Sequence, residues 1–330
     1  MNTPPCRNDF VVDDSEYKHI CYALNDGYSD YVAVSIISLL ENNSGYFHFH
    51  ILTDYISERN VQKLSHLVSK YNALLTVHKI DDTKLEGQKM TWSKYAWLRV
   101  FASEYIKENV DKVLYLDVDV IISGNIDELF KIDLTDKAVA AVPDIMTVYP
   151  HVIRKVGYDV NKGYFCTGVL LMNLDYFREH SLANKILDFA LKNPERINFP
   201  DQDALNFICQ DSKVNLPLKY DILRPFFTDS KFIVKFREEV LDALVDPRII
   251  HYAGCNPWKY ESEHHYFENK FWEYAKLLPF EVRKTHVCSG VPLLKLRTKK
   301  LLGYIGIPAF TKYKKKRKLT YKEIVKLLEQ

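Results

Sequence analysis

Residues 111–124 read Asp-Lys-Val-Leu-Tyr-Leu-Asp-Val-Asp-Val-Ile-Ile-Ser-Gly. The run from Val113 to Leu116 is short, apolar and partly β-branched. That is the pattern of a strand buried on both faces, and such a strand needs a sheet with cover on either side. Asp117 and Asp119 follow directly, and a second apolar run, Val120 to Ile122, follows them. Two carboxylates at the end of a buried strand are costly unless something neutralises them. Alternate residues of an extended segment share a side, so the two acids can converge on one point. Hard divalent cations take oxygen ligands of this kind. Two readings are open: a metal site at the carboxyl end of a central strand, or a loop whose acids cap helices and pair with lysines.

The remaining pattern alternates strand and helix. Strands are expected at 19–24, 47–52 and 74–80, with helices over 29–42 and 57–71 between them. A helix over 92–105 precedes the acidic stretch. After it come a short helix at 126–130, a strand at 138–142, a strand at 168–174 and a long amphipathic helix over 174–192. A helix begins at Pro200 and runs over 204–210, a short strand covers 213–216, the last strand is 249–252, and a helix over 267–278 closes the body. Residues 146–164 lack periodicity and contain two glycines, which suggests a long functional loop. This order implies an α/β fold: an open, mainly parallel sheet with helices on both faces. The first strand runs into Asn25-Asp26-Gly27-Tyr28, where such sheets place ligand loops.

Charge divides the chain. Residues 281–330 hold 14 Lys and Arg against 3 Asp and Glu, and the rest holds 31 against 40. The expected organisation is a flexible segment at 1–17, a folded body at 18–278 and a basic tail at 279–330. The tail mixes Leu, Ile, Tyr and Phe with Lys and Arg, ends in a short amphipathic helix and suits an anionic membrane surface. RNA is the other possible partner, but no recognition module is evident and no nucleic acid is expected. No apolar h-region opens the chain, and the six cysteines form no Cys-x-x-Cys pair. Both features fit a cytoplasmic protein with reduced thiols, held peripherally at the inner face of the membrane.

Three further segments could carry chemistry. His251 ends an apolar strand, as a hydrogen-bonded structural residue or as a ligand. Two carboxylates with one imidazole would favour manganese over magnesium. Asp201-Gln202-Asp203 opens a helix, where acids complement the macrodipole; Asp201 is expected to do some capping, while Gln202 is free to point elsewhere. Phe165-Cys166-Thr167-Gly168 leads into a strand, with Gly168 allowing close backbone approach. A metal beside glycine-bearing loops suits a diphosphate ester, and neither a P-loop nor a Gly-x-Ser-x-Gly elbow is present.

In order, Ala-Leu-Asn-Asp-Gly-Tyr (23–28), Lys-Val-Leu-Tyr-Leu-Asp-Val-Asp (112–119), Phe-Cys-Thr-Gly-Val-Leu-Leu-Met-Asn-Leu (165–174), Pro-Asp-Gln-Asp-Ala-Leu-Asn (200–206) and His-Tyr-Ala-Gly-Cys-Asn-Pro-Trp (251–258) resemble the family 8 glycosyltransferases, including bacterial lipopolysaccharide galactosyl- and glucosyltransferases. The resemblance implies a GT-A fold and retaining transfer of galactose or glucose from a UDP-sugar to an oligosaccharide or glycolipid acceptor. It implies Mn2+, with Mg2+ as the alternative, on Asp117, Asp119 and His251. It implies nucleotide contacts from Asn25, Tyr28, Asp117 and Val118, and from Gly254, Trp258 and Lys259 over the diphosphate. Asp201 and Gln202 would flank the reacting sugar carbon, with Asp144, Cys166 and Thr167 toward the sugar and acceptor. The chain departs from the family pattern at Trp97, Cys166 and Asn256, where Arg, Asn and Lys are usual; Lys259, Arg99 or Lys94 could replace the lost cations. These departures motivate the alternative of a UDP-sugar-binding protein with weakened or lost transfer.

Overall fold

The computed structural model describes residues 16–87, 93–262 and 264–286. Among the described residues ten strands run in chain order: β1 (Tyr17–Ala23), β2 (Tyr46–Thr53), β3 (Leu74–Lys79), β4 (Lys112–Leu116), β5 (Val120–Ile122), β6 (Val139–Pro143), β7 (Phe165–Asn173), β8 (Lys213–Asn215), β9 (Ile222–Leu223) and β10 (Ile249–His251). Seven form one sheet in the order β3-β2-β1-β4-β7-β6-β8. Its pairs are parallel except for β7, which runs antiparallel to both neighbours. The expected open, mainly parallel α/β sheet is therefore what forms.

Side-chain alternation divides the apolar residues between two cores. Ile20, Tyr22, Leu114 and Leu116 face one way and pack with the Ser29–Asn42 and Glu58–Ser69 helices. Cys21, Ala23, Val113 and Tyr115 face the other and pack with segment 97–106 and the Leu182–Lys192 and Pro200–Cys209 helices. Strand β4 is buried along both faces, as its composition requires. Its carboxyl end, carrying Asp117, is thus surrounded by the ends of β1 and β7.

A second sheet, β5-β10-β9, was not legible as a unit. Antiparallel pairing of β5 with β10 sets His251 opposite Val120, one residue after Asp119. The Tyr252 N–H donates to the Asp119 carbonyl at 2.8 Å and locks the two segments together.

Several local expectations change. The helix expected over 92–105 is segmented, with a tighter 3₁₀ turn at Arg99–Phe101 between Lys94–Leu98 and Ala102–Tyr105. The long helix over 174–192 is two, Leu174–Glu179 and Leu182–Lys192, because Ser181 turns left-handed at φ 49°. Residues 146–164 are a chain of single helical turns. Residues 217–248, to which no element was assigned, contain β9 and the Ser230–Lys235 and Arg237–Val245 helices. Cys21, Cys166, Cys209 and Cys255 are buried, and no disulfide joins them. Among the described residues no helix is long and apolar enough to cross a membrane. The N-terminal segment and the basic tail fall mostly outside the described residues, and so does the proposed membrane contact.

Candidate active site

The acids sit on a turn between β4 and β5. Asp117 N–H donates to the Gly168 carbonyl at 2.8 Å, which fixes the turn against β7. The turn brings both carboxylates within reach of His251: its Nε2 lies 3.3 Å from Asp119 Oδ1 and 3.8 Å from Asp117 Oδ2. One oxygen from each acid and one ring nitrogen all fall within 4.8 Å of one another. The opposite ring nitrogen, Nδ1, is held at 2.9 Å by Asp221 Oδ1. That outer carboxylate, fully buried at the end of a short helical turn, orients the imidazole and leaves Nε2 facing the acids. The donor set, two hard oxygens and one imidazole nitrogen whose ring is oriented by Asp221, fits a divalent cation once the ring gives up its proton.

Gly168 is required by this arrangement. A Cβ built on it would run into the His251 ring, with Nδ1 only 2.7 Å away. The glycine in Thr-Gly thus makes room for the imidazole rather than serving a turn.

Electrostatics support the same reading. Burial alone would lower the His251 imidazole, but the Asp221 and Asp119 carboxylates outweigh it and hold the ring well above its ordinary range. Burial alone would raise Asp119; the His251 charge and the Asn256 amide, whose Nδ2 donates to Oδ2 at 2.9 Å, pull it down instead. Metal-free, the triad stores a proton where a cation would bind.

Arg99 is the principal site residue for which sequence supplied only a guess. It is almost wholly buried. Its guanidinium reaches Asp117 Oδ1 at 3.0 Å and Asp201 Oδ2 at 3.3 Å, lies 4.6 Å from the Tyr115 ring centroid and donates to the Thr167 carbonyl. Tyr115 Oη also donates to Asp117 at 2.8 Å. Tyr115 stands two residues before Asp117 on β4, so the strand period could have identified it. Asp221 had no such signal.

Two cavities meet at this point. One, about 330 Å³, is lined by Asn25, Tyr28, Val118, Asn256 and Tyr95. The other, about 370 Å³, is lined by Asp144, Cys166, Thr167, Gln202, His251 and Gly254. Asp117, Asp119, Arg99 and Ala96 belong to both. Asn25 is tied locally, its Oδ1 accepting from Gly27 N at 2.9 Å. Its neighbour Asp26 anchors the loop by accepting from Ser57 and Asn60. Gln202 Oε1 accepts from Thr167 N at 3.1 Å and Oγ1 at 3.3 Å. Burial lifts Asp144 and Asp201 to about 6, with Arg99 opposing the rise at Asp201. The N-cap residue Phe199 offers no side-chain cap; the Asp201 carboxylate meets the first-turn N–H groups of Asp201 and Gln202, and Asp203 accepts from Asn198 N and Phe199 N.

Two assigned residues lie elsewhere. Trp258 is fully buried and stacks on Tyr31 at 4.2 Å, backing Tyr28 from behind. Lys259 turns away, its Nζ donating to Thr285 Oγ1 at 2.8 Å. Of the departures, Trp97 is core, while Cys166 touches His251 and Asn256 touches Asp119.

A lipopolysaccharide 1,2-glucosyltransferase of Escherichia coli is 29% identical over 255 residues, covering 75% of each chain. A lipopolysaccharide 1,3-galactosyltransferase of Salmonella typhimurium is 28% identical over 262 residues, covering 74% of each. The crystal structure of the galactosyltransferase LgtC with donor and acceptor sugar analogues matches with a TM-score of 0.72 at 23% identity, over 80% of this chain and 97% of that one, which makes the fold GT-A. The family model for glycosyl transferase family 8 matches residues 19–262. With the cleft described above, that match makes the chain a member of glycosyl transferase family 8.

Proposed function

We propose that this chain transfers a hexose, galactose or glucose, from a UDP-sugar to a saccharide acceptor, with retention at the anomeric carbon, in the synthesis of lipopolysaccharide or another surface glycan. The names of the similar enzymes supply the substrate class. The observation that carries the reading is the meeting of Asp117, Asp119 and His251 where the two cavities join. A nucleoside fits the Asn25–Tyr28 side, and the sugar and acceptor fit the Asp144–Gln202 side.

Asp117, Asp119 and His251 would hold a divalent ion, manganese or else magnesium. Held by these residues, such an ion would supply positive charge to neutralise the diphosphate and stabilise the departing UDP. Arg99 holds Asp117 and Asp201 at fixed separation, so both acids meet the donor preorganised. Thr167 fixes the Gln202 carboxamide beside the sugar pocket. Gln202 is a neutral amide and a poor nucleophile. The favoured route is same-face attack, with a covalent role for Asp201 as the alternative: the C1–O bond to UDP breaks, the acceptor hydroxyl forms the new C1–O bond, and its proton passes to the departing phosphate oxygen. The reading implies a cytoplasmic enzyme working at the inner face of the membrane, with the basic tail as its membrane contact.

UDP release across a panel of UDP-sugars, with Mn2+ and then with a chelator, tests it. One hexose donor should be consumed with manganese, and the chelator should stop it. Release that ignores the chelator, or consumption of no UDP-hexose with any saccharide acceptor, would refute the assignment.

A further inference from the structure

Four of the eleven histidines lie on one patch of the main sheet, away from the cleft. His19 on β1, His48 and His50 on β2 and His78 on β3 project from the same face by strand alternation, with His19 beside His48 in register. His19 stands four residues before Ala23, the end of β1 that lines the cleft, a separation of about 13 Å along the strand. His19, His48 and His50 are at most 8% exposed. His19 Nδ1 lies 3.0 Å from His50 Nε2, and the His48 and His50 rings stack at 4.2 Å. One ring nitrogen from each of the three lies within 4.8 Å of the other two.

We propose that His19, His48 and His50 form a second metal centre, taking a borderline divalent ion of the zinc, cobalt or nickel kind rather than the oxygen-seeking ion of the cleft. Three imidazoles without a carboxylate are the donor set such ions prefer. Two nitrogens on one tetrahedral ion, with bonds of about 2.0–2.1 Å, stand about 3.3 Å apart. The His19–His50 pair therefore needs to open by only a few tenths of an ångström, exchanging its shared proton for the ion. Outer partners are already in place. His50 Nδ1 meets His78 Nε2 at 3.0 Å, and His48 Nε2 meets Thr76 Oγ1 at 2.7 Å. Such contacts orient ligating imidazoles and fix their tautomers. His78 is only half-buried and sits on edge strand β3, which gives an ion a route in.

The cleft must be silenced to test this. The full chain carrying Asp117→Ala and Asp119→Ala is equilibrated with Zn2+ at about pH 7.5, where neutral imidazoles ligate, desalted, and its metal counted. One Zn2+ per chain should remain, with an X-ray absorption spectrum showing three imidazole nitrogens at about 2.0–2.1 Å and no sulfur. Adding His50→Gln should bring retention to background, and adding His78→Gln should weaken it about tenfold. Retention of no zinc by the cleft variant overturns the proposal. So does a shell with sulfur or fewer than two imidazoles, which would place the ion at Cys166, Asp221 and His251, and so does undiminished retention in a folded His50→Gln chain. If the His50 variant does not fold, the imidazole count on the cleft variant decides alone.

Discussion

The chain contains the pattern Asp-x-Asp at 117–119 and again at 201–203, and the two have opposite fates. At 117–119 the acids lie on a turn between two buried strands, and both carboxylates enter the cleft. At 201–203 they lie in the first turn of a helix, where successive residues are rotated by about 100°. Asp201 faces the cleft and Arg99, while Asp203 points back to bond Asn198 N, Phe199 N and Tyr164 Oη. Identical spacing thus yields two convergent cleft carboxylates in one place, and one cleft residue with one structural clamp in the other. The backbone on which a motif sits decides its chemistry.

Breaking the first pair should have the largest effect. On the proposed reading Asp119→Ala removes a cation ligand, and the charge stabilisation it supports is worth several kcal/mol in the transition state. Manganese-dependent UDP release should fall about a thousandfold, with the thermal midpoint little changed. A loss under tenfold would mean that the turn is a capped loop after all.

Asp203→Ala should do the reverse. It strands two backbone N–H groups and the Tyr164 hydroxyl, each a hydrogen-bonding group now without its partner. Stability should drop by about 3 kcal/mol in urea unfolding, while turnover per folded molecule stays near that of the parent. A catalytic loss at unchanged stability would erase the distinction between the two acids of the helix.

Gly168→Ala sharpens the comparison from the imidazole side. The added methyl displaces the His251 ring from its place between Asp221 and Asp119. Manganese affinity should weaken about 10- to 100-fold, the range for disturbed ligand orientation, as titration of activity against Mn2+ would show. UDP binding measured without metal should change much less.

What sequence could show followed the same division. Asp117, Asp119 and His251 were legible because each ends an apolar run, where a polar side chain stands out. The α/β order was legible from alternating periodicities. Asp221 was not, since it is bound to the site only through the β9–β10 pairing, thirty residues from His251 in the chain and in a segment without periodicity. Arg99 looked like one more cation on a helix; only the 3₁₀ turn beneath it and the stacking on Tyr115 bury it between two acids. The break at Ser181 was hidden because serine has no local preference for a left-handed turn, so packing imposes it. Trp258 and Lys259 are neighbours of a motif whose side chains face away from the cavity that it lines.

The smallest effect tests the pair 201 and 203 through pH. Burial lifts the Asp201 carboxyl to about 6, above its ordinary 3.8, so the folded chain binds this proton more tightly than the unfolded chain does. The stability tied to Asp201 is therefore fully present below about pH 4 and is lost as pH rises through about 6. Asp201→Asn keeps the shape and cannot ionise. Relative to the parent, the metal-free variant should gain stability progressively from about pH 4 to 7 and then level off. Because the carboxyl lines an open cleft, the gain should reach only about 1–2 kcal/mol. Urea unfolding across that range measures it. A difference that is constant with pH would mean that Arg99 keeps Asp201 ionised throughout, making it a fixed half of an ion pair in the way that Asp203 is a fixed clamp.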